Sequence, residues 1–451
     1  MEFKGKKVLV LGAGISGIAV ARIIQNLKAE VILSDTKHKN EIKHDLNSLT
    51  DAGVRLALGP QDECLLKDVD YVVLSPGISI YSPLVEKAKE QGITVMSEIE
   101  VAYRLCQVPL VAITGTNGKT TTTTLIGEII KAAGREVVVG GNIGLALSEE
   151  VCSVSKDGLV VAEISSFQLE GAIDFRPHIA AVLNLTPDHI DRHRSMENYQ
   201  LMKERIFANQ TEDDYVILNY DDLVVRHMAD RASSQVVFFS SRTELPSGVY
   251  VKDGVIKMRW NGETTTISSI NDLGIKGAHN VENALVACGA AYFLGVKADT
   301  IAEVLKNFGG VEHRIEPVLT VRGVPYYNDS KATNPESAIK ALEAFDGNII
   351  LIAGGRDKNT DLTEFMTVAK EKLDYLILVG EAKTRFAEAA DKHGIENVRL
   401  VNDFSSAVEL AYSLAQPPQV VLLSPACASY DMFNNYEERG KVFKELVHQL
   451  Q

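Results

Sequence analysis

Val111-Ala-Ile-Thr-Gly-Thr-Asn-Gly-Lys-Thr-Thr-Thr122 passes from an apolar run through a glycine turn into a helical pattern. Pro109 to Ile113 reads as a buried strand, Gly115-Thr116-Asn117-Gly118-Lys119-Thr120 as the turn, and Leu125, Ile126, Ile129 and Ile130 recur at helical spacing. Strand, glycine turn and helix N-terminus form the layout that cradles a phosphate chain. Glycines let backbone N–H groups converge, the helix dipole favours negative charge, a lysine at position 119 reaches the terminal phosphates, and Thr120 can ligate Mg²⁺. A nucleoside triphosphate is therefore the expected source of free energy. The turn is shorter than the usual GxxxxGK[ST], because position 113 is Ile113.

Around this segment the chain runs to 451 residues, too long for one ordinary core and suited to about three domains. Its 45% hydrophobic and 24% charged residues are those of a soluble globular protein. The sequence has no apolar run of membrane-spanning length and no signal-peptide core after Met1 to Lys7, so a cytoplasmic protein without membrane insertion is expected. Five scattered cysteines without a CxxC pair fit reduced thiols, not a disulfide or zinc framework. A net charge of −14 disfavours nucleic-acid binding, so anionic ligands must meet local Lys, Arg or backbone N–H groups.

Three series of glycine-punctuated strands alternate with helices, which predicts an α/β protein of mostly parallel, doubly wound sheets. The first opens with Lys7-Val-Leu-Val-Leu-Gly-Ala-Gly-Ile-Ser-Gly17 and occupies residues 1–107. The second, residues 108–311, carries the phosphate turn, further strand candidates at Glu136-Val-Val-Val139, Leu159-Val-Val-Ala-Glu163, Ile179-Ala-Ala-Val-Leu183 and Tyr215-Val-Ile-Leu218, and an apparent insertion of antiparallel strands from Gln235 to Ser269. The third, residues 312–451, holds strands at Asn348-Ile-Ile-Leu-Ile352, Tyr375-Leu-Ile-Leu-Val379 and Gln419-Val-Val-Leu-Leu423. The expected folds are Rossmann-like, phosphate-loop ATPase-like with a small antiparallel part, and Rossmann-like.

Each block carries chemistry-bearing residues at predicted strand ends. Gly12, Gly14 and Gly17, with Asp35 eighteen residues beyond, suit a pyrophosphate and a ribose hydroxyl; a UDP-type ligand, NAD and a purely structural turn all remain open. Glu163 closes an apolar strand about where a carboxylate can hold Mg²⁺. Thr186-Pro187-Asp188-His189-Ile190-Asp191-Arg192-His193 resembles zinc-site material but lacks a helix-borne Glu at the right spacing, so His189 suits a second Mg²⁺ better. Lys203, in a helical stretch from Met196 to Phe207, reads from spacing alone as an ordinary solvated lysine. His313-Arg314 and Asn328 to Pro335 lie just before and after a predicted strand, while Gly354 to Lys358 and Ser424 to Ser429 follow strands directly and should gather at one crevice with cationic side chains, suited to a small carboxylate.

Taken together, Gly115-Thr-Asn-Gly-Lys-Thr120, Gly141-Asn-Ile-Gly144, Glu163-Ile-Ser-Ser-Phe-Gln-Leu-Glu170, His189-Ile-Asp-Arg192 and Gly277-Ala-His-Asn280 closely resemble the Mur ligase family of bacterial cell-wall synthesis. Asp329-Ser-Lys-Ala-Thr-Asn334 and Ser424-Pro-Ala-Cys-Ala-Ser429 are similar to the member that adds D-glutamate to UDP-N-acetylmuramoyl-L-alanine. The Asp-Asn-Pro-Arg signature of the lysine- or diaminopimelate-adding member is absent, although Asn334-Pro335 keeps that member as an alternative. From the phosphate turn alone, a nucleotide switch or binding module is a more distant one.

The resemblance implies an acyl-phosphate mechanism that uses ATP and two Mg²⁺, carried out by a monomer. It implies that Gly115, Thr116, Asn117, Gly118, Lys119, Thr120, Thr121, Asn280, Asn283, Arg314 and Asp329 bind the nucleotide. Thr120, Glu163, His189 and a carbamylated Lys203 would hold the metal ions, with Lys119, Glu163, His189 and Lys203 as the catalytic set. Ile15, Ser16, Asp35, Thr36, Ser75 and Gly77 fall at the UDP end of the acceptor, and Asn142, Ser165 and Gln168 near its muramoyl-alanine end. Thr333, Lys358, Ser429 and Tyr436 correspond to D-glutamate contacts. Lys37, where an Arg is expected, and Tyr436, where a Phe is expected, depart from the pattern.

Overall fold

The computed structural model describes residues 3–42, 45–144, 146–357 and 359–450. The chain divides into two compact units, Met1–Leu273 with Glu282–Lys306, and Gly274–Val281 with Asn307–Gln451. The first unit contains two sheets and the second one.

The first sheet is wholly parallel, in the order Arg55–Leu58, Glu30–Asp35, Lys7–Leu11, Tyr71–Leu74, Thr94–Ser97. Val8, Leu9, Val10 and Leu11 are all buried, as expected of a central strand covered on both faces. The helix Ile15–Asn26 starts directly after the Gly12–Gly14 turn.

The second sheet has nine strands, with Leu110–Thr114 between Ile179–Val182 and Leu159–Glu163. Its register sets Ala112 opposite Ala162 and Ala180, and Ile113 opposite Glu163 and Ala181. That pairing delivers Glu163 to the strand end beside the phosphate turn. The helix Lys119–Ala132 buries Leu125, Ile126, Ile129 and Ile130 as its spacing predicted. It also buries Thr120 to Thr123, β-branched residues with little helix propensity, so packing decides this first turn.

Residues Gln235 to Ser269 correct the sequence expectation. They extend the central sheet instead of forming a separate antiparallel insertion. Gln235–Ser240 runs parallel to Tyr215–Asn219, and Gly248–Lys252 runs parallel to Gln235–Ser240. Only the pairings of Gly248–Lys252 with Val255–Trp260, and of that strand with Glu263–Ser269, are antiparallel. Those two hairpins turn at Asp253-Gly254 and Asn261-Gly262, whose positive φ angles match the strand twist. The link from Ser240 to Gly248 contains no helix, so the usual sequence sign of a parallel crossover is missing.

The six-stranded sheet of the second unit is ordered Glu316–Val321, Val324–Asn328, Val420–Leu423, Ile349–Gly354, Leu373–Val379, Val398–Leu400. Its first pair is antiparallel and the rest parallel. Three adjacent strands therefore end side by side at Asn328, Leu423 and Gly354. Among the described residues no helix is long and apolar enough to cross a membrane.

Candidate active site

The phosphate turn is held by a side chain from a neighbouring strand end. Asn184 accepts from the Asn117 N–H at 2.8 Å and donates to the Asn117 carbonyl at 3.1 Å. Gly118 sits at φ +86°, and a Cβ there would lie 2.3 Å from Asn283 Oδ1; a side chain at 118 is excluded by both strain and contact. Thr122 Oγ1 donates to that same Asn283 oxygen at 3.2 Å. Lys119 folds back over the turn, its Nζ 2.8 Å from the Gly115 and Thr116 carbonyls. Thr116 Oγ1 meets the Tyr199 hydroxyl at 3.2 Å and donates to the Thr186 carbonyl, while Thr121 is buried in the first helical turn.

Beside the turn lies a set of oxygen ligands. Thr120 Oγ1 donates to Glu163 Oε2 at 2.7 Å, and Asn142 Nδ2 to Glu163 Oε1 at 2.9 Å. A threonine hydroxyl and a carboxylate at adjoining strand and helix ends suit a hard cation such as Mg²⁺. Ser165 and Gln168 cap the short helix Ser166–Leu169 reciprocally. His189 is 49% exposed on its side chain, lies 3.4 Å from Asp188 Oδ2, and packs tilted against the Phe167 ring with centroids 4.7 Å apart. Its backbone is left-handed, at φ 54°.

Lys203 overturns its reading from spacing. The residue is 1% exposed, not solvated. Its Nζ donates to the Gly115 carbonyl at 2.8 Å, the acceptor that Lys119 also uses, and lies 4.6 Å from the Tyr199 ring. Burial, then repulsion from Lys119, pushes its ammonium well below the usual lysine range. Helical spacing missed this because the helix Met196–Glu204 is polar overall: its inner face packs Tyr199 in the core and sets Lys203 against the phosphate turn.

The first sheet gathers the other predicted ligand group of this unit. Asp35 accepts from the Ala13 N–H at 2.8 Å and the Lys37 N–H at 2.9 Å, and the Ser75 hydroxyl donates to the Gly12 carbonyl at 3.0 Å. Both shape the glycine turn. Ile15, 59% exposed, with Thr36 and Gly77, presents an open surface around it, and Ser16 is half-buried.

In the second unit Asp329, Ser424 and Gly355 each follow one of the three adjacent strand ends. Asp329 accepts from Ser424 Oγ at 2.7 Å and from the Ile315 N–H at 3.2 Å. Burial pushes its carboxyl up to about 7, partly opposed by Ser424 and Arg314. The Arg356 N–H donates to the Ala428 carbonyl at 2.9 Å, tying two of the loops together. Ser429 is buried, Thr333 is half-buried, and Lys331 lies 5.5 Å from the Tyr436 ring. Asn280 donates to the Lys276 carbonyl at 2.7 Å. Lys358 lies outside the described residues. Behind these loops, Arg439 is fully buried and donates to Ser330 Oγ, the Ser330 carbonyl and the Cys427 carbonyl. Glu312, His313 and Glu316 cluster nearby, but the Lys444 ammonium sits 2.6 and 3.0 Å from the two carboxylates and supplies their cation.

Three family models match the chain: a Mur ligase MurD-like N-terminal domain over residues 6–97, the Mur ligase middle domain over 113–291, and a Mur ligase glutamate ligase domain over 313–427. The UDP-N-acetylmuramoylalanine–D-glutamate ligase of Thermoanaerobacter sp. (strain X514) is 46% identical over the full length of both chains. The chain belongs to the Mur ligase family. The enzymes of that same name from Caldanaerobacter subterraneus and Pelotomaculum thermopropionicum are 47% and 48% identical, covering at least 98% of each chain. Among solved structures, the UDP-N-acetylmuramate-alanine ligase of Thermotoga maritima matches with a TM-score of 0.60 at 20% identity, covering 99% of this chain and 100% of the other. A pseudomurein peptide ligase from Methanothermus fervidus matches with 0.59 at 19%, over 99% and 100%. At those identities the likeness establishes the Mur ligase fold.

Asn184, Tyr199 and Arg439 are site-building residues that motif reading passed over. Asn184 follows a strand end, like Glu163, which is the signal that would have found it. The others are identified only by their contacts.

Proposed function

We propose that this chain is an ATP-dependent amide ligase that joins D-glutamate to UDP-N-acetylmuramoyl-L-alanine during peptidoglycan precursor synthesis. The observation that carries the assignment is the full-length identity of 46–48% with ligases named for that reaction, set beside a built phosphate turn. The five free cysteines fit a reducing compartment, so the enzyme is read as cytoplasmic, and it is taken to act as a monomer.

In this reading residues 1–107 hold the UDP end of the acceptor, 108–311 hold ATP, and 312–451 hold the amino acid. The Gly115–Thr120 turn with Lys119 and Thr121 embraces the phosphates, Asn283 buttresses the turn, and Asn280, Arg314 and Asp329 are further nucleotide-binding residues. Ile15, Ser16, Asp35, Thr36, Ser75 and Gly77 receive UDP; Asn142, Ser165 and Gln168 line the path of the muramoyl-alanine end. Thr333, Lys358, Ser429 and Tyr436 receive D-glutamate.

The acceptor carboxylate takes the γ-phosphoryl group of ATP, giving an acyl phosphate and ADP. The amine of D-glutamate then attacks the carbonyl carbon, and the tetrahedral intermediate expels phosphate as the amide forms. Phosphoryl transfer needs positioning and charge neutralisation more than covalent help. Lys119 can swing from the Gly115 and Thr116 carbonyls to a phosphate oxygen. Thr120, Glu163, His189 and Lys203 would hold two Mg²⁺, which supply neutralising charge when bound.

Lys203 suits that role only after modification, because an ammonium repels a cation. Its burial favours the neutral amine, whose lone pair can attack carbon dioxide; a C–N bond forms, a proton leaves, and an anionic carbamate oxygen becomes available to a metal. A carbonyl-carbon NMR signal from labelled bicarbonate, present in the native chain and missing in Lys203→Arg, is the expected result.

The assignment is tested by measuring amide product and phosphate release with ATP, Mg²⁺, UDP-N-acetylmuramoyl-L-alanine and a panel of amino acids. D-glutamate alone should drive both. A response to L-lysine or diaminopimelate instead would move the chain to another member of the family. Hydrolysis without amide would point to a nucleotide switch.

A further inference from the structure

The segment from His189 to Arg194 holds a conformation that its own residues disfavour. A four-residue helix, Ile190–His193, is bounded by His189 at φ 54° and Arg194 at φ 70°. Left-handed backbone at two non-glycine residues persists only where surrounding contacts over-determine it. Arg192 supplies most of them. It pairs bidentately with Glu170, Nε to Oε1 at 2.9 Å and Nη2 to Oε2 at 2.6 Å. It also donates through Nη1 to the Pro76 carbonyl and through Nη2 to the Ile78 carbonyl, each at 2.9 Å. Its guanidinium lies 4.0 Å from the Phe167 ring, and Arg194 covers the Tyr81 ring at the same distance. The Arg192 and Glu170 side chains are 13% and 2% exposed, so solvent screens the pair little.

These contacts join two parts of the site. Pro76 and Ile78 flank Gly77, on the loop whose Ser75 holds the Gly12 carbonyl. On the other side, Glu170 lies 3.7 Å from His193 Nδ1, and His193 Nε2 is 2.9 Å from Ser166 Oγ. The His193 ring packs at 5.2 Å on Tyr199, whose hydroxyl meets Thr116 in the phosphate turn. A continuous run of contacts therefore leads from the first glycine turn to the second, and Arg192 is its joint.

We infer that Arg192 is a positioning residue that fixes the separation between the loop holding the acceptor's UDP end and the phosphate turn, so that the acceptor's carboxylate arrives in line with the γ-phosphate. This rests on the ligase reading above, in which Ser75 and Gly77 receive UDP. The job needs a guanidinium: planar donors serve one carboxylate and two carbonyls together, whereas a lysine ammonium is a point charge.

Arg192→Lys tests it. Amide formation should lose about 10- to 100-fold in kcat, the scale of a small misplacement of reacting groups, while the Kd values for UDP and for a non-hydrolysable ATP analogue stay within about twofold. Calorimetric stoichiometry near that of the wild type shows that the sample is folded. Unchanged kcat, or UDP affinity that falls in step with kcat, overturns the inference. If Arg192→Lys does not fold, Glu170→Gln carries the same test, because it weakens only the carboxylate that pairs with Arg192 and leaves the bonds to the Pro76 and Ile78 carbonyls; the same pattern is expected at a several-fold loss, and an unchanged kcat overturns the inference. Absence of amide product in the wild type brings down the ligase reading and this inference together, whereas an active wild type with an indifferent variant brings down the inference alone.

Discussion

Lys203 in the first unit and Arg439 in the second are both buried cations, 1% and 0% exposed, and neither has a carboxylate within ion-pair distance among the described residues. Their surroundings differ. Lys203 donates to one carbonyl, which Lys119 also uses. Arg439 meets three oxygens at 2.7 to 3.1 Å with its planar donors. Burial lowers both, Lys203 well below its usual range and Arg439 to about 10. Desolvation therefore works against the charged form in the first pocket, whereas in the second three oxygen acceptors meet the buried charge.

Substitutions that exchange the two kinds of cation probe this contrast most strongly. Lys203→Arg keeps a positive charge and removes the amine, and should cut kcat about 10²- to 10³-fold, the scale for losing one preorganised electrostatic element, with the circular dichroism spectrum retained. Near-normal turnover would show that the amine is not used. In the other direction, Arg439→Lys leaves acceptors in the core unmatched and should cost about 2–4 kcal/mol of stability, read as a lower urea midpoint for the second unit. An unchanged midpoint would mean that Arg439 is no support.

The phosphate turn can be probed without touching charge. Gly118→Ala places a Cβ against Asn283 Oδ1 at φ +86°, and should cost about 1–2 kcal/mol with weakened binding of an ATP analogue. Retention of full affinity would show that the turn relaxes freely.

The most gradual effect, spread over about three pH units, concerns Asp329, whose carboxyl burial pushes up from 3.8 to about 7. The folded protein then binds this proton more tightly than the unfolded chain does. The resulting stability is fully present below pH 4 and is lost as pH rises through 7. Between those limits wild-type stability should fall by about 1.4 kcal/mol per pH unit relative to Asp329→Asn in parallel denaturant titrations. Parallel curves would show that Asp329 is ionised throughout.

Much of the fold was legible because the local signals were strong. The strand before Gly115 and the helix after it follow from an apolar run and the spacing of Leu125, Ile126, Ile129 and Ile130. Glycine turns after Leu11 and Thr114 marked strand ends where parallel sheets place ligands. The link from Ser240 to Gly248 was illegible because parallel pairing there is made without a crossover helix, so short strands and Asp-Gly and Asn-Gly turns suggested only hairpins. The C-terminal loops were legible as segments that follow strands, and the sheet order brought Asn328, Leu423 and Gly354 side by side.

By itself the sequence determined three α/β blocks, a triphosphate-binding turn and a family resemblance spanning nearly the whole chain, because each rests on residues close together in the chain. Tertiary structure alone decided that Lys203 is buried against the Gly115 carbonyl, that Asn184 clamps the phosphate turn, and that Arg192 ties Glu170 to the Pro76 and Ile78 carbonyls. Those facts depend on desolvation and on contacts between residues as much as 116 positions apart, and neither periodicity nor a motif records which distant groups a helix face will meet.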